Sequence, residues 1–426
     1  MKISLFTPTH DPRWLTDAYR SLMRQAYTDW EWVLVPNGPA RPLPPVVTAD
    51  PRVRVVPYPR CRELRYGRNI GALKGFACAA CTGGLLVELD HDDMLAPNAL
   101  TELAEAVAAN PDAGFFYSDC VGFWPDGRND VFGPEFGWEK YDCEIDGKRY
   151  TAMRNFPMTA RSLCEIFYCP NHVRAWTREA YDLVGGHNPT MRVIDDHELL
   201  VHTYLAGVGC VYLPQPLYLY RRHRTSATIT DNALIQRQQQ EVRDRHLVQL
   251  VREWCRREGL PMYDLGGAHN PVEGFLTVDQ AGTPDIKMDV LSAEFEQRVP
   301  DNSAGCFRAY DFLEHIPPGA PVIKLMNQLY RQLAPGGWLI TATPSAEGRG
   351  AFADPTHVSF WNELSFRYYS DASRARYLNG AVTARFQVVR LATAFPDEWH
   401  RDNQLPYVVC DMSAIKGQRQ PGVKLI

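Results

Sequence analysis

Three aspartates and one histidine directly follow a short apolar run in residues 85–95. Leu85–Leu89 is typical of a buried strand, and Asp90, Asp92 and Asp93 come immediately after it. Carboxylates packed this closely raise one another's pKa, and a divalent cation relieves that repulsion. Mg²⁺ prefers oxygen ligands together with substrate phosphates, so an Asp-x-Asp at a strand end predicts a metal–diphosphate site. The alternative is a solvated acidic turn that caps the next helix.

The composition of the chain is that of an ordinary globular protein. With 426 residues, 45% hydrophobic and 22% charged, two or three domains are expected, and a net charge of −5 gives no reason to expect a nucleic-acid partner, although a local basic patch stays open. The odd number of cysteines, eleven, argues against a disulfide framework. No signal region and no membrane-spanning apolar run is found in the sequence, so we expect a cytoplasmic protein.

Residues 1–232 alternate strand-like and helix-like segments. The expected strands are Ile3–Pro8, Trp32–Pro36, Val53–Val56, Leu85–Leu89 and Gly114–Ser118. The expected helices are Leu15–Arg24, Asn69–Cys81 and Asn98–Asn110. This alternation predicts a mainly parallel sheet covered on both faces, with ligands beyond the carboxyl ends of its strands. Thr7-Pro8-Thr9, Asn37-Gly38 and Asp90-His91-Asp92 fall at such ends and should converge on one crevice.

A polar helical linker is expected at residues 233–259, followed by a second alternating region at 260–426. There Tyr263–Leu265 predicts a strand that runs into Gly266–Gly267, and Phe275–Asp279 predicts a strand that ends in an acid. Further expected elements are the strand Gly305–Asp311, the helix Val322–Leu333 and the strand Trp338–Thr343. The predicted fold class is therefore α/β, with two doubly wound domains joined by a helix.

Several motifs occur in order along residues 1–232. They are Thr7-Pro8-Thr9, residues 21–31, Arg68-Asn69-Ile70-Gly71, Leu89-Asp90-His91-Asp92-Asp93, Asp195-Asp196-His197-Glu198-Leu199 and Tyr220-Arg221-Arg222-His223. This region resembles a family 2 glycosyltransferase of the GT-A fold. The resemblance implies an inverting, metal-dependent enzyme that moves a sugar from a nucleotide-sugar donor to a hydroxyl acceptor, with a saccharide as the leading acceptor candidate.

The same resemblance implies roles for individual residues. Asp92 would bind Mg²⁺ or Mn²⁺ directly, with Asp90 near the metal or the ribose. Asp196 would be the base, and Asp195 beside it would raise its pKa. The donor-binding candidates are Thr7, Pro8, Asn37, Arg68, Asn69, Asp90 and His223. Two alternatives stay open: Asp196 as a helix N-cap, and His223 as an exposed histidine.

One position departs from the family pattern. Asn37 follows the second strand, where the family usually carries an acid that contacts the nucleobase, so the preference for uracil is open. The aromatic residues between the acidic turn and Asp196 either stack on an acceptor sugar or form a local hydrophobic cluster. They are Trp124, Phe132, Phe136, Trp138 and Tyr141.

Residues from 262 to about 400 resemble a class I S-adenosylmethionine-dependent methyltransferase. The resemblance rests on Asp264-Leu265-Gly266-Gly267, Asp279, Asp289-Val290-Leu291, Phe312-Leu313-Glu314-His315-Ile316 and Leu333-Ala334-Pro335-Gly336-Gly337. It implies S-adenosylmethionine contacts from Asp264, Gly266, Gly267, Asp279 and Asp289. Ala268 replaces an expected glycine, and too few residues follow Gly267 for the usual helix. His357 is either a base or a structural histidine.

The leading hypothesis is a bifunctional enzyme that transfers a sugar and methylates the same glycan. A second hypothesis keeps the glycosyltransferase and treats the methyltransferase-like domain as an inactive docking module. A third is a non-catalytic carbohydrate-binding protein, which the intact pairs Asp90/Asp92 and Asp195/Asp196 disfavour.

Overall fold

A computed structural model describes residues 1–37, 41–59, 69–131, 137–166 and 169–417. The chain divides into two compact units, Met1–Leu247 and Val248–Ile426. The division falls inside a helix, α9 (Asn232–Glu258), in the segment predicted as a helical linker. Within the described ranges, every helix is too short or too polar to cross a lipid bilayer.

In the part of the first unit that the structure describes, eleven strands form one sheet. In chain order they are β1 (Ile3–Thr9), β2 (Trp30–Pro36), β3 (Val53–Val55), β4 (Leu85–Glu88), β5 (Met94–Leu95), β6 (Ala113–Phe123), β7 (Asn129–Asp130), β8 (Lys140–Ile145), β9 (Lys148–Met153), β10 (Arg174–Thr177) and β11 (Gly209–Arg221). The helices before α9 are α1 (Leu15–Met23), α2 (Pro45–Thr48), α3 (Ile70–Ala80), α4 (Ala99–Ala109), α5 (Ala160–Glu165), α6 (Arg178–Leu183), α7 (Asp195–Leu205) and α8 (Ala227–Thr230).

The sheet of the first unit is mixed, whereas the sequence predicted a mainly parallel one. Its strand order is β3-β2-β1-β4-β10-β6-β11-β5, with β7 and the β8–β9 hairpin attached to β6. Strands β1 to β4 run parallel, but β10 is antiparallel to both of its neighbours, β4 and β6. The β8–β9 hairpin and α5 precede β10 in the chain. After them the chain enters β10 at the edge of the sheet where β4 ends, so β10 runs in the opposite direction to β4.

Local sequence accounts for the predicted elements of this unit. In α1, buried Leu15, Ala18 and Leu22 recur at helical spacing and pack on the sheet. In β4, Leu85, Leu86 and Val87 are all fully buried, which is why this strand is a continuous apolar run between two covered faces. Because β4 is packed on both faces, it fixes the positions of Glu88 and of the acidic turn that follows it.

After α9, the described residues of the second unit form seven further strands and five helices. The strands are β12 (Met262–Leu265), β13 (Leu276–Asp279), β14 (Ile286–Lys287), β15 (Ala304–Tyr310), β16 (Leu333–Pro344), β17 (Phe386–Ala394) and β18 (Tyr407–Ala414). The helices are α10 (Ala293–Arg298), α11 (Ala320–Gln332), α12 (Glu363–Arg367), α13 (Ala372–Ala375) and α14 (Glu398–Asp402).

This second sheet has the order β14-β13-β12-β15-β16-β18-β17. The first five are parallel, and β18 is antiparallel to β16 and β17, so this sheet is also mixed. The strand order reverses direction between β12 and β15, which is the kind of switch point where open α/β sheets bind ligands. Only a short 3₁₀ helix, Gly267–His269, lies between β12 and β13, in line with the missing helix that the sequence indicated.

Candidate functional site

The candidate site of the first unit lies at one edge of the sheet, where β1, β2 and β4 end. Because β10 is antiparallel to β4, its first residue, Arg174, lies at the same edge as the end of β4. The pairing of Ala175 with Val87 makes Arg174 the next residue opposite Glu88. Polar groups from distant parts of the chain thus meet at the edge where the sequence predicted a crevice.

The three acids of the turn after β4 divide into one structural carboxylate and two that face the crevice. Asp93 is buried, and its carboxylate accepts hydrogen bonds from the Tyr218 hydroxyl at 2.9 Å and the Arg221 backbone N–H at 2.6 Å. Its side chain therefore ties the turn to β11. The side chains of Asp90 and Asp92 keep 33% and 16% of their surface exposed.

Asp92 lies against an imidazole. His223 Nε2 is 2.7 Å from Asp92 Oδ2, and His91 Nδ1 is 4.0 Å from Asp92 Oδ1. Burial alone would raise the pKa of Asp92, but the two imidazoles outweigh it and lower that pKa. The two partly exposed carboxylates, Asp90 and Asp92, offer oxygen ligands to the crevice, which fits Mg²⁺ or Mn²⁺.

Glu88 is the centre of a buried charge network behind these acids. Its carboxylate pairs with Lys74 of α3, and its second oxygen is 3.4 Å from Arg174 Nη1. All three side chains are nearly or fully buried. Burial alone would raise the pKa of Glu88, but the nearby cations Lys74 and Arg174 hold it at about 2. The carboxylate is therefore ionised, and it aligns two buried cations below the crevice.

His172 connects this network to the acidic turn. Its Nδ1 is 3.7 Å from Glu88 Oε2 and its Nε2 is 3.9 Å from Asp90 Oδ2, while the ring stacks on Tyr218 at 4.6 Å. Burial and the positive charge of Arg174 lower the pKa of His172 to about 3, so the imidazole is neutral. Burial also raises the pKa of Asp90 to about 6, with Glu88 and Asp92 adding repulsion.

Asp195 and Asp196 begin α7 and point to different surroundings. Asp195 is buried, with Lys74 Nζ at 3.9 Å and His187 Nε2 at 3.6 Å from its Oδ2. Asp196 keeps 18% of its side chain exposed and pairs with Arg174 through Oδ2. Consecutive residues of a helix are rotated by about 100° around its axis, so one acid faces the core and the other faces the crevice.

The pKa values of the two aspartates move in opposite directions. Burial raises the pKa of Asp195 to about 7, and repulsion from Asp196 and Glu88 adds to this. Burial would also raise the pKa of Asp196, but Arg174 and Lys74 outweigh it and hold that pKa well below its ordinary value. The net shift at Asp196 is therefore downward, because the cations Arg174 and Lys74 outweigh burial. The upward contribution of Asp195 to the pKa of Asp196 stays a prediction.

The start of α7 is held close to the start of α3. A Cβ atom at Gly71 would lie 2.1 Å from the Asn188 carbonyl oxygen, so glycine is required for this approach. Asn188 also donates to Glu198 of α7 at 2.7 Å, which places α7 relative to the loop before it.

The remaining predicted donor residues occupy different environments. Thr7 is fully buried; its hydroxyl donates to the Leu89 carbonyl and accepts from Trp32 Nε1 at 2.7 Å, so it supports the end of β4 from below. Asn37 is buried, and its Oδ1 has no hydrogen-bond partner among the described residues. Pro8 and Asn69 are half-buried, and Arg68 lies outside the described residues.

The described aromatic residues of the insertion favour the local-cluster interpretation. Trp138 is buried against Phe156 at 4.4 Å, and Tyr141 donates to Asp119 at 2.7 Å. Trp124 Nε1 donates to Asp130 at 3.1 Å. Phe132 and Phe136 lie outside the described residues.

In the second unit, the residues predicted for S-adenosylmethionine are engaged with the protein itself. Asp264 is buried and pairs with Arg308 at 2.8 Å. A Cβ at Gly266 would meet the Phe312 ring at 2.8 Å, and one at Gly267 would meet Asp264 at 2.4 Å, so neither glycine opens onto free space.

The two acids that follow the glycine turn, Asp279 and Asp289, also accept hydrogen bonds from the protein backbone. Asp279 accepts from Ala268 N–H at 3.4 Å and Ala281 N–H at 3.0 Å, and Asp289 accepts from Leu291 N–H at 2.9 Å. The described geometry therefore gives no support for S-adenosylmethionine, and its binding stays a prediction.

Sequence reasoning missed the basic half of the first unit's site, namely Lys74, His172 and Arg174. A glutamate in an otherwise apolar buried strand, Glu88, was the available signal, since a buried acid needs a cation nearby. Nothing in the local sequence says which cation that is.

Comparison with known proteins identifies part of the chain. Residues 4–182 match the family model described as Glycosyl transferase family 2, so this segment is a glycosyltransferase family 2 domain. The chain is 27% identical over 240 residues to the O-antigen biosynthesis protein RfbC of Myxococcus xanthus, a match that covers 54% of this chain and 16% of that protein. It is 32% identical over 124 residues to the uncharacterized protein y4gI of Sinorhizobium fredii, covering 28% and 13%. The chain thus spans about a sixth or less of the length of these curated relatives.

Among solved structures, S. aureus TarS 1-349 in complex with UDP-GlcNAc is similar with a TM-score of 0.43 and 15% identity, over 64% of this chain and 77% of that one. The mannosyltransferase PcManGT from Pyrobaculum calidifontis, in complex with GDP-Man and Mn²⁺, gives a TM-score of 0.38 and 17% identity, over 60% and 64%. Likeness at this level carries no argument about donor or metal.

Proposed function

We propose that the first unit transfers a sugar from a nucleotide-sugar donor to a hydroxyl acceptor, with inversion at the anomeric carbon and with a divalent metal ion. The observation that carries the proposal is the chain of contacts between the motif acids of the family 2 domain and Asp196. It runs from Asp90 through His172 and Glu88 to Arg174 and Asp196, with each step at 3.9 Å or less.

Asp90 and Asp92 are the residues that would hold the metal. When bound, the ion supplies Lewis-acid stabilisation of the diphosphate leaving group. His223, 2.7 Å from Asp92, orients that carboxylate, and Asp93 anchors the turn on which both ligands lie.

Asp196 is the proposed base. It is the partly exposed member of the Asp195/Asp196 pair, and its low pKa keeps it ionised and able to accept a proton. A carboxylate of low pKa is a weak base toward a resting alcohol, but the hydroxyl proton becomes acidic as its oxygen bonds to the anomeric carbon. Arg174 orients Asp196, and Asp195 is a positioning residue that helps to fix Lys74 beneath the site.

The donor and acceptor are proposed from chemistry and from one relative. The buried Oδ1 of Asn37, without a partner among the described residues, suits an N–H of a nucleobase, so UDP-sugars are the first donors to test. A saccharide acceptor is supported by the printed name of the Myxococcus relative, an O-antigen biosynthesis protein. Methyl transfer by the second unit is not part of this proposal.

The test is nucleotide release and product formation with a panel of nucleotide-sugars and Mn²⁺. We expect Asp92→Asn and Asp196→Asn each to lower turnover by at least about 100-fold, the lower end of what proton transfer or metal loss costs. The anomeric configuration of the product, read by NMR coupling constants, should be inverted relative to the donor.

Asp126→Asn is the matched control, because Asp126 is an exposed aspartate of the same unit that pairs with Arg128 on the surface. It should leave turnover unchanged. Full turnover in the Asp92 and Asp196 variants, or no turnover by the wild type with any donor, would overturn the proposal.

A further inference from the structure

A second cluster of titratable side chains lies in the second unit, just beyond the carboxyl end of β15. Glu314 and His315 belong to the 3₁₀ helix Leu313–His315, and His357 comes from the loop before α12. One ligand atom from each of the three residues lies within 4.8 Å of the other two. We call these three residues the Glu314 cluster.

Glu314 is the unusual member of this cluster. It is 1% exposed, and neither carboxylate oxygen has a hydrogen-bond partner among the described residues. Burying an unsatisfied acid is costly, and nearly all buried polar groups in native proteins are satisfied. An ion is one of the few things that would satisfy both the charge and the lone pairs of Glu314.

Both histidines have a ring nitrogen committed elsewhere. His357 Nδ1 is 2.9 Å from the Ala351 carbonyl oxygen, and His315 Nδ1 is 3.2 Å from the Thr356 hydroxyl oxygen and 3.3 Å from the Thr356 carbonyl oxygen. The Thr356 hydroxyl donates its own proton to Asp354 at 2.6 Å, and a carbonyl oxygen only accepts, so Nδ1 carries the proton in each ring and Nε2 keeps its lone pair. Metal-binding histidines are commonly oriented this way, with the second nitrogen donating to a backbone carbonyl.

The backbone around Glu314 is also fixed. Val358 N–H and Ser359 N–H both donate to the Glu314 carbonyl oxygen, at 2.9 and 3.0 Å, and the Ser359 hydroxyl donates to the Leu313 carbonyl at 2.9 Å. These bonds join the loop that carries His357 to the segment that carries the other two residues. The three side chains are therefore presented together by a connected backbone.

We infer that the Glu314 cluster binds one divalent transition-metal ion, with Zn²⁺ as the representative metal. The ligands are a carboxylate oxygen of Glu314 and Nε2 of His315 and His357. One carboxylate and two imidazoles are a ligand set that Zn²⁺ accepts, and three protein ligands leave a fourth position for water. His315 is exposed, so that position is on the solvent side.

Binding requires the three ligand atoms, which lie within 4.8 Å of one another, to close in around the ion. Zn–N and Zn–O bonds of about 2.1 Å in a tetrahedral arrangement put neighbouring ligand atoms about 3.4 Å apart. His357 Nε2 is 3.9 Å from Glu314 Oε1, so this pair must approach by about half an ångström.

A similar cluster in the first unit provides a contrast. One ligand atom from each of Glu198, His202 and His246 also lies within 4.8 Å of the other two. However, both carboxylate oxygens of Glu198 are already in use, one by Asn188 at 2.7 Å and one by Arg245 at 3.0 Å. A metal ion would have to displace an arginine there, so we place the metal at the Glu314 cluster only.

The test uses the full chain, stripped with a chelator and then titrated with Co²⁺ or Zn²⁺ in the presence of excess Mg²⁺. The Mg²⁺ occupies the proposed Asp90/Asp92 site, which has hard oxygen ligands. We expect one equivalent of Co²⁺ to bind with a visible ligand-field band, and Zn²⁺ to displace it. Glu314→Gln and His357→Gln should each weaken binding by about 100-fold or more, since even losing an outer hydrogen-bond partner costs about 10–100-fold.

His202→Gln and Asp92→Asn are the controls, and both should retain the Co²⁺ band. The inference is overturned if the wild type binds no Co²⁺ or Zn²⁺, if binding survives in Glu314→Gln and His357→Gln, or if His202→Gln abolishes it. Far-UV circular dichroism and melting temperature establish that each variant is folded. The readout is metal content and absorption, so it is independent of any sugar transfer.

Discussion

Both units place a buried glutamate at the carboxyl end of a sheet strand, but they surround it differently. Glu88 in the first unit has Lys74 and Arg174 as buried partners. Glu314 in the second unit has His357 as its one ion-pair partner among the described residues, at 3.9 Å. A buried acid with resident cations is part of the architecture, because removing the charge of Glu88 leaves two buried cations to be neutralised by Asp195 and Asp196 alone. A buried acid without resident cations has to be neutralised in another way, by a proton or by a bound cation.

The largest expected effect is that of Glu88→Gln. The substitution keeps the size of the side chain but removes the charge shared by two buried cations, so it should cost about 3–5 kcal/mol. Hydrogen exchange followed by mass spectrometry should show faster exchange of peptides covering β4 and β10, with the second unit unchanged. Unaltered protection of β4 would contradict the role given to this carboxylate.

Glu31, a second buried acid of the first unit, allows the contribution of a paired carboxylate to stability to be measured as a function of pH. Glu31 is buried, accepts from the Ser4 hydroxyl at 2.6 Å and pairs with Arg54 at 3.2 Å. Burial alone would raise its pKa, but these hydrogen bonds and those from Thr82 lower it from an ordinary 4.5 to about 2. A depressed folded-state pKa adds stability that is present above pH 4.5 and lost as the pH falls toward 2.

Glu31→Gln should therefore lower the free energy of unfolding by about 3 kcal/mol at pH 7, because the pKa of Glu31 falls from 4.5 to about 2 on folding. The difference between variant and wild type should shrink between pH 4.5 and pH 2.5, measured by urea unfolding at each pH. If the difference in free energy of unfolding stays constant across that range, the substitution destabilises the protein through packing and not through loss of charge.

The smallest expected effect is that of Glu314→Gln in metal-free protein. No resident lysine or arginine loses a partner among the described residues, so the free energy of unfolding should change by less than about 1 kcal/mol. The same hydrogen-exchange experiment, read on peptides of β15 and β16, gives the direct counterpart to Glu88→Gln. A loss of several kcal/mol here would remove the distinction between the two glutamates.

Sequence reasoning predicted the strands and helices whose signal is local. The apolar run of β4 and the helical spacing of α1 each fix an element within a few residues. The sequence analysis did not identify β10, β11, β17 or β18, whose places depend on pairing with strands that are distant in sequence. The antiparallel placement of β10 is the main reason that the predicted parallel sheet is mixed.

The residues of the candidate site also separate into those with a local sequence signal and those without one. Asp90, Asp92, Asp195 and Asp196 stood out because they are clustered acids in short motifs. The groups that set their charge state, Arg174 and Lys74, come from a strand and a helix with no motif of their own. The sign of the pKa shift at Asp196 could not be predicted without them.

The pairing of β4 with β10 links the register of the sheet to the charges at the candidate site. Glu88 and Arg174 face each other only in the native alignment of these two strands, in which Ala175 lies opposite Val87. A slip of one residue would turn one partner to the other face of the sheet and strand a buried charge. The alignment that joins β4 to β6 through β10 therefore also places Arg174 beside Glu88, so the register of the sheet and this ion pair are specified together.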